Sequence, residues 1–319
     1  MRVMLALLLC LLPPAVIAQG FPSKPLRLVL RSPPGGTDDL LGRLIAQKMP
    51  DFLGQQVVVD YRTGAGGLVA WQYVTQAPPD GYTMLLAASG LGAIRTLRPD
   101  ATIDPWRDFA WLSQVVNYQL IVLVHPSLPA QNLKQLIAMA KAKPGQLSYG
   151  SSGIGATPHL AGEYLKAMAK IDITHVPYKG AGPMYIDLLG GRLEMGMAVV
   201  GSAVPHIKAK RLRALGVSGS KRVAQIPDVP TIAEAGVSGY ELDAYYALLA
   251  PGKTPRDIVN RLADATAKVV ASPEYRTRVI ESGMEPVANT PEQMLQVARK
   301  DGEKIEKIVR TANIHVGAQ

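Results

Sequence analysis

The sequence predicts an α/β protein built on mostly parallel sheets. Two observations carry this prediction. Short runs rich in Val, Ile and Leu alternate with amphipathic stretches along the chain, and turns rich in Gly and Pro separate them. The chain has 319 residues, of which 48% are hydrophobic. This length and composition suffice for one large domain or two medium ones with proper cores.

The strands are predicted from short apolar runs. The run at 120–124 is apolar at every position, which is typical of a strand buried on both faces. In chain order, the predicted strands are 26–30, 57–59, 82–86, 120–124, 147–149, 174–176, 193–200, 212–217 and 245–249.

The helices are predicted from apolar residues at helical spacing between these strands. Leu40, Leu41, Leu44 and Ile45, for example, share one face of a helix. The predicted helices are 38–49, 70–76, 133–143, 158–169, 184–189, 231–235, 255–271 and 291–310.

The connection between two such domains would be made by strands. No low-complexity linker interrupts the alternating pattern, so two domains would have to share strands that cross between them. Val122 and Tyr246 each lie in an apolar run about where one sheet would be full. We therefore expect the crossings near these two residues.

The N-terminal residues 1–18 predict a secretory signal peptide. Arg2 precedes the apolar run 3–12, and the small residue Ala18 ends the segment before a predicted cleavage site. The run is too short for a membrane anchor, which needs about 20 residues. Cleavage after Ala18 would remove Cys10, the only cysteine, and would leave an exported, periplasmic protein without a thiol.

Composition and motifs argue against most enzyme and cofactor classes. One cysteine and five scattered histidines offer no disulfide scaffold or zinc site. The chain lacks a G-x-S-x-G elbow, a phosphate-binding P-loop and a complete dinucleotide fingerprint. The net charge of +9 suits an anionic partner, but the basic run 208–213 lacks the interleaved aromatics of a nucleic-acid site. We expect no cofactor, no metal and no catalysis.

Two loops rich in Gly, Ser and Pro open directly into helices, at 33–39 and 151–159. Glycine lets the backbone approach a ligand, and a helix start offers free N–H groups and partial positive charge. Two such loops facing each other would clamp a small carboxylate. Ordinary α/β turns also need glycine, so that alternative stays open. Asp38 and Asp39 could either stabilise their helix or receive an ammonium or hydroxyl group of the ligand.

Several short motifs occur in order from end to end of the chain beyond the signal peptide. Together they resemble the solute receptors of tripartite tricarboxylate transporters, the Bug family of periplasmic binding proteins. The motifs are Pro33-Pro34-Gly35-Gly36-Thr37-Asp38-Asp39, Gly64-Ala65-Gly66-Gly67, Pro79-Asp80-Gly81-Tyr82-Thr83, Pro105-Trp106-Arg107-Asp108-Phe109, His125-Pro126-Ser127-Leu128-Pro129, Tyr149-Gly150-Ser151-Ser152-Gly153, His175-Val176-Pro177-Tyr178-Lys179-Gly180 and Pro227-Asp228-Val229-Pro230-Thr231.

The resemblance implies a two-domain periplasmic-binding-protein fold, with two crossing strands and a ligand enclosed by a Venus-flytrap motion. Domain 1 would comprise 19–122 plus 247–319, and domain 2 would comprise 123–246. The family's cleft loops carry over to nine residues here: Gly35, Gly36, Asp39, Gly66, Ser89, Ser151, Ser152, Gly153 and Thr157. The implied partners are a small organic anion and the membrane permease subunits of the transporter, and the receptor itself would be a monomer.

The sequence departs from the family pattern next to the first loop. The family commonly has Pro and then an aromatic residue where this chain has Arg31 and Ser32. If Arg31 points into the cleft, it could pair with a second carboxylate and favour a di- or tricarboxylate. The alternative is a solvent-facing arginine at a strand end.

The predicted function is capture of a small organic anion in the periplasm for delivery to a permease. Two other functions would use the same scaffold. One is a secreted hydrolase or isomerase, which would need a base or nucleophile with a shifted pKa in the cleft. The other is a sensor subunit that presents the solute to a membrane kinase.

Overall fold

The computed structural model describes residues 20–312 and 314, and the predicted signal peptide lies outside this range. Helices and strands alternate along the chain, as the sequence predicts. The strands are β1 (Leu26–Leu30), β2 (Val57–Tyr61), β3 (Thr83–Ala88), β4 (Phe109–Val124), β5 (Ser148–Ser151), β6 (Thr174–Pro177), β7 (Met195–Val199), β8 (Arg213–Val217), β9 (Asp243–Pro251) and β10 (Glu285–Pro286).

The helices cover the faces of the sheets. They are α1 (Thr37–Lys48), α2 (Pro50–Leu53), α3 (Leu68–Thr75), α4 (Ile94–Leu97), α5 (Leu133–Ala142), α6 (Thr157–Ala169), α7 (Ala181–Leu189), α8 (Val200–Lys208), α9 (Arg256–Ala271), α10 (Pro273–Glu281) and α11 (Pro291–Thr311). Short 3₁₀ turns precede α3 and α4. In the described part of the chain, no helix combines the length and apolarity needed to cross a membrane.

The strands form two sheets that meet on β4. The first sheet has the order β2-β1-β3-β9-β4, with β1 parallel to both of its neighbours and β9 antiparallel to β3 and β4. In the second sheet β5 lies parallel to β6 and β7, whereas β4 is antiparallel to β7 and β8. The fold is therefore a two-domain α/β arrangement, with domain 1 on the first sheet and domain 2 on the second.

Strand β4 passes from one domain to the other between Gln119 and Leu120. Residues up to Gln119 pair with β9, and residues from Leu120 onward pair with β7 and β8. The chain returns to domain 1 just before β9, which pairs with β4 from Asp243. The domain boundaries given above stay predictions, a few residues beyond these changes of partner.

The sequence prediction missed the first half of β4. Polar residues there disguise the strand, but their polar groups are paired with a loop of domain 1. The backbone N–H of Gln114 donates to Asn289 Oδ1 (2.9 Å), and the backbone N–H of Asn289 donates to Ser113 Oγ (3.0 Å). These bonds let a polar stretch lie in the middle of a sheet.

Several other segments differ from the prediction. The helix predicted at 231–235 is wrong: Thr231 forms a parallel bridge with Val217, and the Glu234 carboxylate accepts its N–H in a tight turn. The sequence did not predict helices α2, α4, α8 and α10 or the short strand β10. The start of α8 continues directly from strand β7, so the apolar run at 193–200 contained both elements.

Ser218 joins the two connections between the domains. Its hydroxyl donates to the carbonyl of Leu242 (2.6 Å) and accepts from the N–H of Leu120 (2.9 Å). Its own backbone pairs with the same two residues, and the side chain is fully buried. One serine thus ties the outgoing strand to the returning segment.

We expect Ser218→Ala to lower the free energy of unfolding by about 1–3 kcal/mol, because a buried N–H and a buried carbonyl each lose a partner. Urea denaturation measures the loss. The matched control is Ser220→Ala, which removes the same hydroxyl from an exposed position nearby and should change stability little. Equal stability of the two variants would contradict the role given to Ser218.

Candidate ligand-binding site

A cavity of about 80 Å³ lies between the two domains. Domain 1 contributes the loop that follows β1 and the start of α1, and Tyr118 and Tyr246 come from β4 and β9. Domain 2 contributes the opposite wall. The lining residues are Arg31, Ser32, Pro33, Pro34, Gly36, Thr37, Asp38, Tyr118, Ser152, Pro158, 180–184, 197–199, Ser202 and Tyr246.

Four helices begin at this cavity: α1 from domain 1, and α6, α7 and α8 from domain 2. Their N-cap residues are Gly36, Ala156, Gly180 and Val199, and none of them makes a side-chain capping bond. Of the helices that begin elsewhere, α5 and α11 are capped by Asn132 and Thr290, whereas α2, α3, α4, α9 and α10 also lack a side-chain cap. What distinguishes the first four is that they begin at one cavity. Uncapped first-turn amides and helix dipoles make the cavity attractive to oxyanions.

Arg31 and Asp38 form an ion pair in the cavity wall. The Nε of Arg31 donates to Asp38 Oδ2 (3.3 Å), and the Tyr246 hydroxyl donates to Asp38 Oδ1 (2.6 Å). The two charged side chains are only 9% and 5% exposed. Asp38 by itself would repel an anion from the start of α1, and Arg31 offsets that charge.

The pKa values of this cluster favour a fixed charge pattern. Burial lowers the pKa of Arg31, but Asp38, Tyr246 and Tyr118 raise it by more. The net pKa lies above the ordinary value of an arginine, so the guanidinium stays charged. Burial raises the pKa of both Tyr118 and Tyr246, which keeps their hydroxyls protonated at neutral pH.

A second set of bonds links the cavity to the crossing strands. The Tyr118 hydroxyl donates to Thr157 Oγ1, and Thr157 Oγ1 donates to the carbonyl of Ser89, each at 3.3 Å. Ser89 Oγ accepts from the N–H of Tyr245 (2.8 Å). Two residues carried over from the family resemblance, Ser89 and Thr157, therefore lie at the junction of the domains, outside the cavity lining.

Three of the ten predicted site residues line the cavity: Arg31, Gly36 and Ser152. Asp39 points elsewhere, where Oδ1 accepts from Arg43 Nε (2.7 Å) and from the Tyr61 hydroxyl (2.5 Å). Its Oδ2 accepts the N–H of Gly35 (3.0 Å). Burial raises the pKa of Asp39, but these hydrogen bonds lower it by more. The net pKa lies below the ordinary value of an aspartate, so the carboxyl group is ionised at neutral pH.

The loop of domain 2 at 151–157 rests on a polar cluster behind the cavity. Ser151 is buried, and its hydroxyl lies 2.8 Å from His175 Nε2. The N–H of Gly155 donates to His159 Nδ1 (3.2 Å), and the two imidazole rings are 4.3 Å apart. Burial lowers the pKa of both histidines, and that of His175 falls to about 3. Ser151 thus supports the loop from behind the cavity lining.

The domains touch across the mouth of the cleft. A Cβ placed on Gly66 would lie 2.5 Å from the carbonyl oxygen of Ile154, so the 64–67 turn and the domain 2 loop meet at the backbone. Gly180 lies against Pro33 in the same way, because a Cβ placed on Gly180 would lie 3.4 Å from Pro33 Cγ. Gly153 makes a close approach within domain 2 instead, because a Cβ there would lie 3.1 Å from the Tyr178 carbonyl oxygen.

Sequence reasoning missed most of the domain 2 wall, which is built by the starts of α7 and α8. The signal was present at α7, where Gly180 ends a strand-following loop and precedes Ala181 and Gly182. At α8 it was hidden, because Val199 and Val200 read as the end of a strand. Only the tertiary structure places the two helix starts side by side.

A larger groove of about 830 Å³ lies at the opposite ends of β1 and β3. Its charged side chains neutralise one another: Arg27 binds Asp60 (2.6 Å), and Lys24 lies 3.8 Å from Asp80. Ligands of α/β sheets bind at the carboxyl ends of the strands, where Arg31 follows β1. The interdomain cavity is therefore the better candidate site.

Comparison with known proteins identifies the family. Residues 41–314 match the model of the tripartite tricarboxylate transporter family receptor, TctC. The chain belongs to this family. Protein BugT of Bordetella pertussis is 32% identical over 280 residues, which cover 87% of this chain and 86% of BugT. The predicted resemblance to Bug proteins is confirmed.

Solved structures agree with this assignment to the receptor family. An R. palustris protein solved with adipate is 35% identical and has a TM-score of 0.88, covering 92% of this chain and 99% of its own. MatC from Rhodopseudomonas palustris, solved with bound malate, is 28% identical with a TM-score of 0.86, covering 91% and 100%. The receptor shares its two-domain fold with both.

The His175 cluster predicts how the receptor's stability depends on pH. Unfolded His175 binds a proton near pH 6.5, whereas the folded protein binds it only near pH 3. Between these values the unfolded state holds more protons, so the free energy of unfolding falls as pH falls. We expect His175→Gln to reduce this slope by at most about 1.4 kcal/mol per pH unit, since one proton is involved.

Urea denaturation of the wild type and of His175→Gln at several pH values from 4 to 8 measures the difference in their free energies of unfolding. The contributions of the other titrating groups largely cancel in this difference. His159, Glu163, Lys166 and the Tyr149 hydroxyl surround the imidazole and remain in the variant. Above pH 7 the two curves should run parallel. Parallel curves across the whole range would show that His175 titrates normally.

Proposed function

We propose that this receptor binds a small carboxylate in the interdomain cavity, in the periplasm, and delivers it to the permease subunits of a tripartite tricarboxylate transporter. Family membership supports the receptor role. The two relatives solved with ligands hold adipate and malate, which are both dicarboxylates. The predicted signal peptide at 1–18 is consistent with export.

The observation that carries the proposal is the set of four uncapped helix starts around one cavity. Each helix start presents N–H groups and about half a unit of positive charge. A carboxylate between them would satisfy amides from both domains at once. Binding would therefore favour the state in which the domains are in contact.

The lining residues favour binding over catalysis. A hydrolase or isomerase would need a base or nucleophile poised near neutral pH. Among the described lining residues, Asp38 is held by Arg31 and Tyr246, and burial raises the pKa of the tyrosine hydroxyls. These groups are suited to holding a ligand, and they support a receptor that releases its ligand unchanged.

A thermal-shift screen of the purified mature receptor tests the proposal. We expect dicarboxylates such as adipate and malate to raise the melting temperature, because ligand at 100 times its Kd adds about 2.7 kcal/mol of stability. The uncharged diamide of adipate serves as the control. Failure of every carboxylate to bind, or chemical turnover of a bound one, would refute the receptor function.

A second prediction concerns domain contact at Gly66. Gly66→Ala should weaken ligand binding, because its Cβ would collide with Ile154 when the domains touch. Gly54→Ala is a matched control: both glycines have left-handed backbones (φ 68° and 74°), but Gly54 faces open space. Each variant should lose roughly 1–2 kcal/mol of stability from strain.

Calorimetric titration with the best ligand from the screen separates the two effects. Gly54→Ala should leave the Kd close to that of the wild type, whereas Gly66→Ala should raise it. Equal Kd values for the two variants would mean that the contact between the 64–67 turn and Ile154 is not needed in the bound state.

A further inference from the structure

We propose that Arg31 selects ligands with a second carboxylate, and that Asp38 and Tyr246 are positioning residues that hold its guanidinium toward the cavity. This inference rests on the proposed function and assigns the ligand class to one side chain.

The burial of Arg31 is the first argument. Its side chain is 9% exposed and lines the cavity, so the alternative of a solvent-facing arginine does not apply. Removing an ion pair from water costs several kcal/mol per ion, and an apolar pair would often be more stable. Arg27, on the strand β1 that precedes Arg31, is paired with Asp60 but remains 47% exposed, outside the cavity. Of the two ion pairs, the one with the larger desolvation cost, Arg31–Asp38, is therefore the one that lines the cavity.

The geometry of the pair is the second argument. Asp38 engages only Nε of Arg31 and does not form a two-bond fork. Tyr246 also hydrogen-bonds the Arg31 side chain, but among the described residues 20–312 and 314 Asp38 is the only carboxylate paired with it. A guanidinium edge with two parallel N–H groups matches a carboxylate in geometry and charge. Asp38 therefore leaves the two-bond mode of carboxylate binding to a ligand.

The position of the guanidinium is fixed from several sides, which is the third argument. Tyr246 holds the second oxygen of Asp38, and the ring of Tyr118 packs 4.9 Å from that of Tyr246. Gly67 leaves room for the aliphatic stem: a Cβ there would lie 3.0 Å from Arg31 Cδ and 3.1 Å from Trp71 Cζ2. A charged group held this firmly is ready for binding before the ligand arrives.

The remaining lining suits a ligand with two charged ends. Met184, Met197 and Ala198 contribute an apolar wall that could contact a hydrocarbon linker. The helix starts would bind one carboxylate, and Arg31 would bind the other. A monocarboxylate of the same length would place an apolar end beside the donors of Arg31 and leave them unpaired, which a site of this kind discriminates against strongly.

Matched ligand pairs test the inference on the intact mature receptor. Adipate is compared with hexanoate, and succinate with butyrate, by calorimetric titration. Because Arg31→Met alone would leave the Asp38 charge unbalanced in the cavity wall, the test uses the double variant Arg31→Met/Asp38→Asn. We expect this double variant to weaken dicarboxylate binding by at least about tenfold, the cost of losing charge-assisted hydrogen bonds, and to change monocarboxylate binding little. Arg27→Met, the matched control on β1, should leave both affinities unchanged.

Two further variants address positioning. Asp38→Asn and Tyr246→Phe should each reduce the ratio of dicarboxylate to monocarboxylate affinity, whereas a purely structural role would lower both affinities alike. The single variant Arg31→Met leaves Asp38 unpaired, so it should weaken monocarboxylates as well as dicarboxylates and does not serve for the comparison.

The outcomes separate this inference from the proposed function. Binding of dicarboxylates to the wild type, with equal loss or no loss of both ligand classes in the Arg31→Met/Asp38→Asn double variant, would overturn the role of Arg31 and leave the receptor function standing. Absence of any carboxylate binding to the wild type would overturn both. A selective loss of dicarboxylates would support both.

Discussion

The sharing of strand β4 between two sheets is the constraint on which the rest of the receptor depends. Its 16 residues pair with β9 on one side of Gln119 and with β7 and β8 on the other. Because one strand belongs to both domains, the space between the sheets is fixed beside it. Tyr118, at this crossing, lines the cavity directly. Ser218 holds the returning segment next to the same point and so keeps the junction narrow.

Four helices begin at the cavity, and their first-turn backbone N–H groups have no side-chain cap. A side-chain cap typically contributes about 1 kcal/mol to a helix, and α5 and α11 have one. The four helices that begin at the cavity lack such a cap, as do α2, α3, α4, α9 and α10, but of the described helices only the first four begin together at the cavity. Their free amides are then available to an oxyanion. The buried Arg31–Asp38 pair lies at the same cavity, where taking both charges out of water carries a desolvation cost.

Much of the site's general location could be predicted from sequence, but its composition could not. The Gly-rich loops at 33–39 and 151–159 are recognisable because a strand, a Gly-rich turn and a helix follow in immediate succession. Both loops lie at the interdomain junction. Yet Ser151 and Thr157, which look like ligand-binding hydroxyls, are buried and bonded to His175 and Ser89. A hydroxyl's partner depends on residues far away in the chain, and local pattern carries no information about them.

The sequence by itself determined the alternation of strands and helices, through apolar periodicity, and the family, through an ordered set of short motifs. Tertiary structure alone decided which side chains face the cavity. Asp38 and Asp39 are neighbours in one helix and differ in direction by about 100°. One meets Arg31 and Tyr246 in the cavity, and the other meets Tyr61 and Arg43 outside it. The contrast arises because Tyr61 and Tyr246 come from strands that only the folded sheet brings to the two sides of the helix.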